Sequence, residues 1–401
     1  MKYSELQVTF REPKVWSYVQ PLYGGKRYAE LWREEKKLQA MKSEIKKQIC
    51  VTIERAVDDA DTEEKIGTML DPVFERLSKS YFASEEVDQE MLLRKANKNT
   101  LQKKLQGWCA QLNYNVPKVR TVPGFKIFSE KLKGVPCVIV AAGPSLKHSI
   151  EKIKQVKGKC LIMAVDTSLR ALERRGVKAE FCNAHDANEN GARFFNGLDT
   201  EAIGLFVNYI SPKTVAAYRG PLCFYYVADP SIPVYEMMAR ACDGPDRPDG
   251  SFMESKIIGG SSVAHTALYA AIEMGCNPIT FVGLDLSYPD LANSHFESDN
   301  PKDVSNQKLF PVVDLQGRTI KTNLSFYSYK TVFEKMVPSL IEAYNLNLFT
   351  STEDENGKPC GIVHAGLEPL PFQKFIDLYC QKEREELKNI QEVYKGYGKK
   401  L

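Results

Sequence analysis

Val138-Ile139-Val140-Ala141-Ala142-Gly143-Pro144-Ser145-Leu146 passes from an unbroken apolar run, through small residues, into the start of an amphipathic segment. The apolar run reads as a strand buried on both faces, and Gly-Pro-Ser before Leu146 as a turn that opens a helix. Such a junction offers backbone N–H groups and the positive end of a helix dipole to an anion. Gly143 would let a phosphate or ribose approach the backbone, so a side chain there would fill the ligand's space. Ser145 would cap the helix or donate to the ligand. Neither G-x-G-x-x-G nor a Walker pattern is present, so the stretch alone is also compatible with a plain strand-to-helix turn.

Working outward, the same texture recurs. Strands are predicted over Val135–Ala141, Cys160–Val165, Ala179–Asn183, Ile203–Asn208, Leu222–Val227, Pro278–Val282 and Leu346–Thr350. Helices are predicted over Leu146–Val156, Ser168–Arg175, Val263–Met274, Ser325–Tyr344 and Phe372–Val393. Apolar strands alternating with helices give an α/β fold, a Rossmann-like parallel sheet with helices on both faces. Residues 286–312, with Pro289, Pro301 and Pro311, read as an active-site loop or lid, and Val312–Lys321 as a hairpin. The texture changes at Pro117 and Pro123-Gly124. The organisation expected is therefore a helical N-terminal region over 1–120, a nucleotide-binding core over 121–366 and a C-terminal helix within 367–401.

Ligands of parallel sheets gather outside the carboxyl ends of the strands. Here those ends are polar: Asp166-Thr167-Ser168, Asn183-Ala184-His185-Asp186 and Gly283-Leu284-Asp285. Gly259-Gly260-Ser261-Ser262, just before a helix, forms a second small-residue cradle for an anion. The nucleotide pocket is thus expected from Gly143, Pro144, Ser145, Asp166, Asn183, Asp186, Gly260, Ser261, Ser262 and Gly283. His295, in the polar loop after Asp285, is the candidate acid–base group, and His185 beside Asp186 is a further site candidate. His265, on the apolar helix 263–274, reads as a satisfied, partly buried histidine, and His148 and His364 carry no strong case. No zinc-type spacing occurs; Asp166, Asp186 and Asp285 are expected at most to share a hydrated Mg²⁺.

The 401 residues carry 54 basic and 51 acidic side chains, a net charge of +3, which argues against nucleic-acid binding as the main role. The ten cysteines are scattered singly without C-x-x-C spacing, as buried thiols in a reducing compartment would be. The opening MKYSELQVTFREPK has no apolar segment of signal-peptide type, and no run of 18 apolar residues occurs. A cytoplasmic protein without a membrane span is expected.

From about Lys131 to Gly366 the chain resembles the bacterial motility accessory factor (Maf) flagellin glycosyltransferases and the related MptE-like proteins. The resemblance rests on Leu132-Lys133-Gly134, Val140–Leu146, Ala164-Val165-Asp166-Thr167, Gly259–Val263, Gly275-Cys276-Asn277-Pro278 and Val282–Tyr288. It extends, more distantly, to bacterial sialyltransferases that use CMP-activated sugars. It implies that Gly143, Pro144 and Ser145 hold the nucleotide, with Asn183, Ser261 and Ser262 near its ribose and phosphate. His295 would match the catalytic base. Ala142 stands where the sialyltransferase loop has asparagine, and Tyr288 lies one residue further from the Gly-x-Asp motif than their leaving-group tyrosine. Three functions follow. The first is transfer of a nonulosonic acid from a CMP-sugar to a hydroxyl of a flagellin-like protein or a glycan, with His295 as base. Tyr288, Asp285 and helix N-termini would complete that site, with no tightly bound cofactor. The second is an MptE-like pyrophosphokinase acting on 6-hydroxymethyl-7,8-dihydropterin with ATP and Mg²⁺, with Asp285 on the metal. The third is a non-catalytic nucleotide-binding or assembly protein.

Overall fold

Short apolar runs form the strands because each is buried on both faces. In the computed structural model these are Cys137–Val140 (β1), Leu161–Val165 (β2), Phe181–Ala184 (β3), Ile203–Val207 (β4) and Leu222–Ala228 (β5). Lys256–Ile258 (β6), Ile279–Val282 (β7), Leu309–Val313 (β8), Thr319–Asn323 (β9), Leu348–Thr350 (β10) and Glu368–Pro369 (β11) follow. The structure describes residues 104–398 except 229–233, 245–249, 260, 289–295, 297–308 and 364. They belong to the chain's second compact unit, Lys103–Leu401. Expectations for the N-terminal helices before residue 104 lie outside the described residues, as do His295, His364 and Gly260.

Nine strands form one parallel sheet in the order β11-β10-β7-β1-β2-β3-β4-β5-β6, and β8 and β9 form a separate antiparallel hairpin. The α/β Rossmann-like fold expected from the sequence is the fold observed. Val140 of β1 lies opposite Ala164 of β2 and Val282 of β7. From β1 the chain steps outward through β2–β6, then returns to β7 on the other side of β1, so the topological switch point lies between β1 and β7.

Helices cover the sheet through apolar stripes at helical spacing. Leu146–Ile153 buries Leu146, Ile150 and Ile153; Asp166–Arg174 buries Leu169 and Leu172. Val263–Glu273 is buried along most of its length, and its alanines let it pack closely on β1, β2 and β3. No helix among the described residues is long and apolar enough to cross a membrane.

Three departures from the sequence reading have physical causes. A helix over 104–121 runs through Pro117, where the texture change had suggested a stop. Pro117 is exposed, so its missing N–H faces solvent, while Leu112, Asn115 and Val119 on the opposite side are buried against the core. The described unit therefore begins upstream of the expected 120/121 boundary. The C-terminal segment is not one helix but three, Phe372–Tyr379, Glu385–Lys388 and Ile390–Gly398. Buried Cys380 and the bond from Arg384 N–H to the Gly158 carbonyl (2.8 Å) tie the first break to the core. The hairpin also sits slightly wider than Val312–Lys321, and helices Pro212–Ala217 and Val234–Arg240 with strands β6 and β11 are additional.

Candidate functional site

At the switch point the chain folds back on itself more tightly than an open crevice would. Pairing between β1 and β7 continues past both strands: Ala141 N–H donates to the Val282 carbonyl (2.8 Å) and Gly143 N–H to the Gly283 carbonyl (2.9 Å). Gly283 takes a left-handed φ of 73°, and a Cβ there would meet the Ala141 carbonyl oxygen at 2.5 Å. Leu286, also left-handed at φ 50°, turns the chain after Asp285. The result is that Asp285, 4% exposed, aims its carboxylate at the mouth of the first helix. Its Oδ2 accepts from both the N–H (3.1 Å) and the hydroxyl (2.8 Å) of Ser145.

An anion does sit at this helix N-terminus, but it belongs to the protein. Gly143 is glycine because Asp285 and the Gly283 carbonyl occupy the space a Cβ would need. A phosphate would have to displace a buried carboxylate to reach Ser145, so the cradle expected at Gly143, Pro144 and Ser145 is already filled. Burial pushes the Asp285 carboxyl up to about 6, against the lowering pull of the Ser145 hydrogen bonds.

The polar ends of β2 and β3 gather a second set of groups. Asp166 opens the helix after β2, is 5% exposed, and accepts from Thr167 N–H at 2.7 Å. Burial pushes its carboxyl up to about 7; the Thr167 amide opposes the rise and the Asp186 carboxylate adds to it. Asp186 is exposed at the end of β3 and accepts from Asn188 N–H at 2.9 Å. Asn183 is fully buried, with its amide bonded to Thr266 (3.1 Å) and to Tyr225 (3.1 Å). His185 is partly exposed, and its Nδ1 meets the Tyr225 hydroxyl at 3.2 Å.

At the start of Val263–Glu273, the Ser262 hydroxyl lies 2.6 Å from His265 Nδ1, while the Ser261 hydroxyl is enclosed with no partner among the described residues. His265 stacks on Phe333 with ring centroids 3.8 Å apart and burial drives it down to about 3; it is wholly buried, and its Nε2 has no partner among the described residues, so it is more enclosed and less satisfied than the sequence suggested. Tyr288 is 2% exposed, stacks on Phe326, and accepts from the Asn323 side chain at 2.7 Å. It seats the β8–β9 hairpin on the core, with its own N–H on the Lys321 carbonyl. Phe296, next after His295, donates its N–H to the Ala142 carbonyl at 2.8 Å, which returns the chain to the end of β1.

The three aspartates do not form one metal site. Asp285 follows β7 and Asp186 follows β3, with β1 and β2 between, a separation of about 14 Å at ~4.8 Å per strand. Among the described residues no group of three or more histidine, cysteine, aspartate or glutamate side chains could hold a metal ion. One ion shared by all three, the most that the sequence suggested, does not fit this spacing, whereas Asp166 and Asp186 end neighbouring strands. Sequence reading missed Tyr225 and Thr266, which lie inside an apolar strand and helix and gave no polar signal.

The Asp166 carboxyl titrates higher in the folded chain than in an unfolded one. Its stabilising effect is thus complete below about pH 4 and is lost as pH rises to about 7. His185, driven down to about 4 chiefly by burial, runs the other way, losing stability as pH falls below about 6.5. Asp166→Asn should therefore raise the melting temperature at pH 8 relative to wild type, by roughly 2–4 °C for each kcal/mol relieved, with little gain at pH 4. Equal changes at both pH values would exclude a buried ionised carboxylate.

A nine-stranded parallel sheet with carboxylates, a histidine and serines along one edge defines a Rossmann-like α/β domain. Residues 110–291 match the family described as 6-hydroxymethylpterin diphosphokinase MptE-like. Among solved structures the chain is similar to the MAf glycosyltransferase from Magnetospirillum magneticum AMB-1 (TM-score 0.50, 16% identity). That likeness covers 76% of this chain and 45% of the other, and at this identity it is a likeness of fold. The chain spans less than half the length of that protein. No curated protein matches the sequence significantly.

Proposed function

We propose that the chain is a glycosyltransferase that moves a sialic-type nonulosonic acid from a CMP-sugar to a hydroxyl of a flagellin-like protein or a glycan. The observation that carries this reading is the gathering of Asp166, His185, Asp186 and Ser261-Ser262 along the carboxyl edge, with Phe296 bonded to the Ala142 carbonyl at the end of β1. His295 would take the acceptor proton as the hydroxyl oxygen bonds the anomeric carbon. The bond from that carbon to the phosphate oxygen breaks, and its electron pair leaves with CMP. The start of Val263–Glu273, not the filled Gly143–Ser145 cradle, would stabilise the departing phosphate. Asp285 and Tyr288, both tied inward, would shape the floor. The Maf-like fold supports the reading.

The MptE-like match supports a second one, transfer of pyrophosphate from ATP to a hydroxymethylpterin, with ATP and Mg²⁺ in the same cleft. Melting in the presence of CMP, CTP, ATP and ATP with Mg²⁺ separates them. A ligand at a hundred times its Kd adds ~2.7 kcal/mol to stability. Stabilisation by CMP and CTP without metal is expected; a shift with ATP and Mg²⁺ alone selects the pyrophosphokinase, and no shift at all removes both. His295→Ala should keep the CMP shift and lose transfer by about a hundredfold or more. Wild-type turnover in that variant would reject the base.

A further inference from the structure

The hydrogen bonds around Asn183 run in one direction. Thr266 donates its hydroxyl proton to the Val263 carbonyl (2.9 Å), so it accepts from the Asn183 amide N–H (3.1 Å). The Asn183 carbonyl oxygen then faces the Tyr225 hydroxyl at 3.1 Å, and because it can only accept, Tyr225 donates. With the phenolic proton spent, the Tyr225 oxygen meets His185 Nδ1 at 3.2 Å, and Nδ1 carries the proton of that bond. Nε2 is left as a lone pair, with no partner among the described residues. The ring is held by the edge of Tyr209 and the face of Tyr225, with centroids at 6.1 and 6.3 Å. Of the groups around it, Tyr209 and Tyr225 remain neutral and Asp186 is the one charge.

Asn183 is fully buried with both ends of its amide engaged, so it cannot touch a ligand at the edge. We infer that His185 is a fixed hydrogen-bond acceptor for a ribose hydroxyl of the bound nucleotide, and that Asn183 and Tyr225 act by holding its tautomer. The inference rests on the nucleotide reading above. An acceptor needs a donor from the ligand; phosphates and carboxylates offer none, and ribose hydroxyls do. Val165 pairs with Asn183 across β2 and β3, so Asp166 and His185 end neighbouring strands, about 5 Å apart in the sheet direction. A carboxylate at the end of the second strand is where parallel nucleotide-binding sheets meet the ribose. Two acceptors side by side suit a vicinal diol.

The test uses the full chain with CMP, 2′-deoxy-CMP and 3′-deoxy-CMP, and with AMP and its two deoxy counterparts, measured by titration calorimetry. Wild type should prefer the ribonucleotide to at least one deoxy analogue by about tenfold. His185→Phe should shrink that preference to within about twofold while leaving affinity for that analogue unchanged. Histidine ¹⁵N NMR should give an Nδ1-protonated, neutral signal near pH 7 that disappears in His185→Phe and loses its tautomer preference in Tyr225→Phe. An Nε2-protonated signal overturns the inference. So does a wild-type protein indifferent to deoxygenation, or a His185→Phe variant that weakens ribo- and deoxynucleotides equally, with the nucleotide reading left standing. Failure of every nucleotide to bind overturns both.

Discussion

Gly143→Val should lower the melting temperature sharply, and it should do so with no ligand present. A Cβ at this position would lie 2.5 Å from the Gly283 carbonyl oxygen and inside the Asp285 carboxylate. Neither neighbour can retreat freely. The Gly283 carbonyl accepts the bond that extends β1 onto β7, and the carboxylate is held by two bonds from Ser145. Overpacking a filled interior costs about 1–3 kcal/mol, and stripping partners from a buried charged group adds a comparable or larger penalty. Together these predict a loss of at least about 3 kcal/mol, roughly 6–12 °C for a unit of this size. Sequence alone suggested that a side chain here would fill a ligand's space; the structure assigns that space to Asp285 instead. Thermal melting of the unliganded variant decides the matter, and a midpoint within a degree or two of wild type would refute the packing account.

A fragment beginning at residue 118 should be molten or insoluble, whereas one beginning at Lys103 should melt cooperatively. Removing 104–117 strips the buried Leu112 from the core, worth about 1.5–3 kcal/mol. It removes Asn115, whose amide donates to the Asn208 (3.0 Å) and Ile210 (2.8 Å) carbonyls at the end of β4. It also removes Gln111, bonded to the Ala187 carbonyl, and Trp108, stacked on Tyr209 at 4.9 Å. Each buried carbonyl left without a donor costs about 1–3 kcal/mol. Dye binding to exposed apolar surface and the sharpness of the melt distinguish the two fragments. A cooperative transition from the 118–401 fragment would mean that the helix is dispensable.

The main strands were legible because each is an apolar run buried on both faces, a pattern that few other structures produce. β6 and β11 were not, being three and two residues long with exposed side chains on at least one face. The edge chemistry was legible in part. Asp166, Asp186 and His185 announce themselves as polar residues that end apolar runs, and they do stand at the carboxyl edge. What the sequence does not carry is side-chain direction. Asp285 reads as a strand-end acid like the others, but it turns inward to a serine 140 residues earlier in the chain. Asn183 was read as a ligand contact, yet partners on β5 and on the helix after Ser262, 42 and 83 residues away, bury it. Both outcomes are set by pairings far apart in the chain, which local pattern cannot encode.

Among the described residues the sheet ends on short strands, the three-residue β6 at one rim and the two-residue β11 at the other. Unpaired backbone at a rim is what lets a foreign strand add on, and its reach grows with edge length. Rims of three and two residues leave too few donors and acceptors in register to template another chain. A wide, almost wholly apolar sheet thus presents little backbone along these rims through which it could grow sideways.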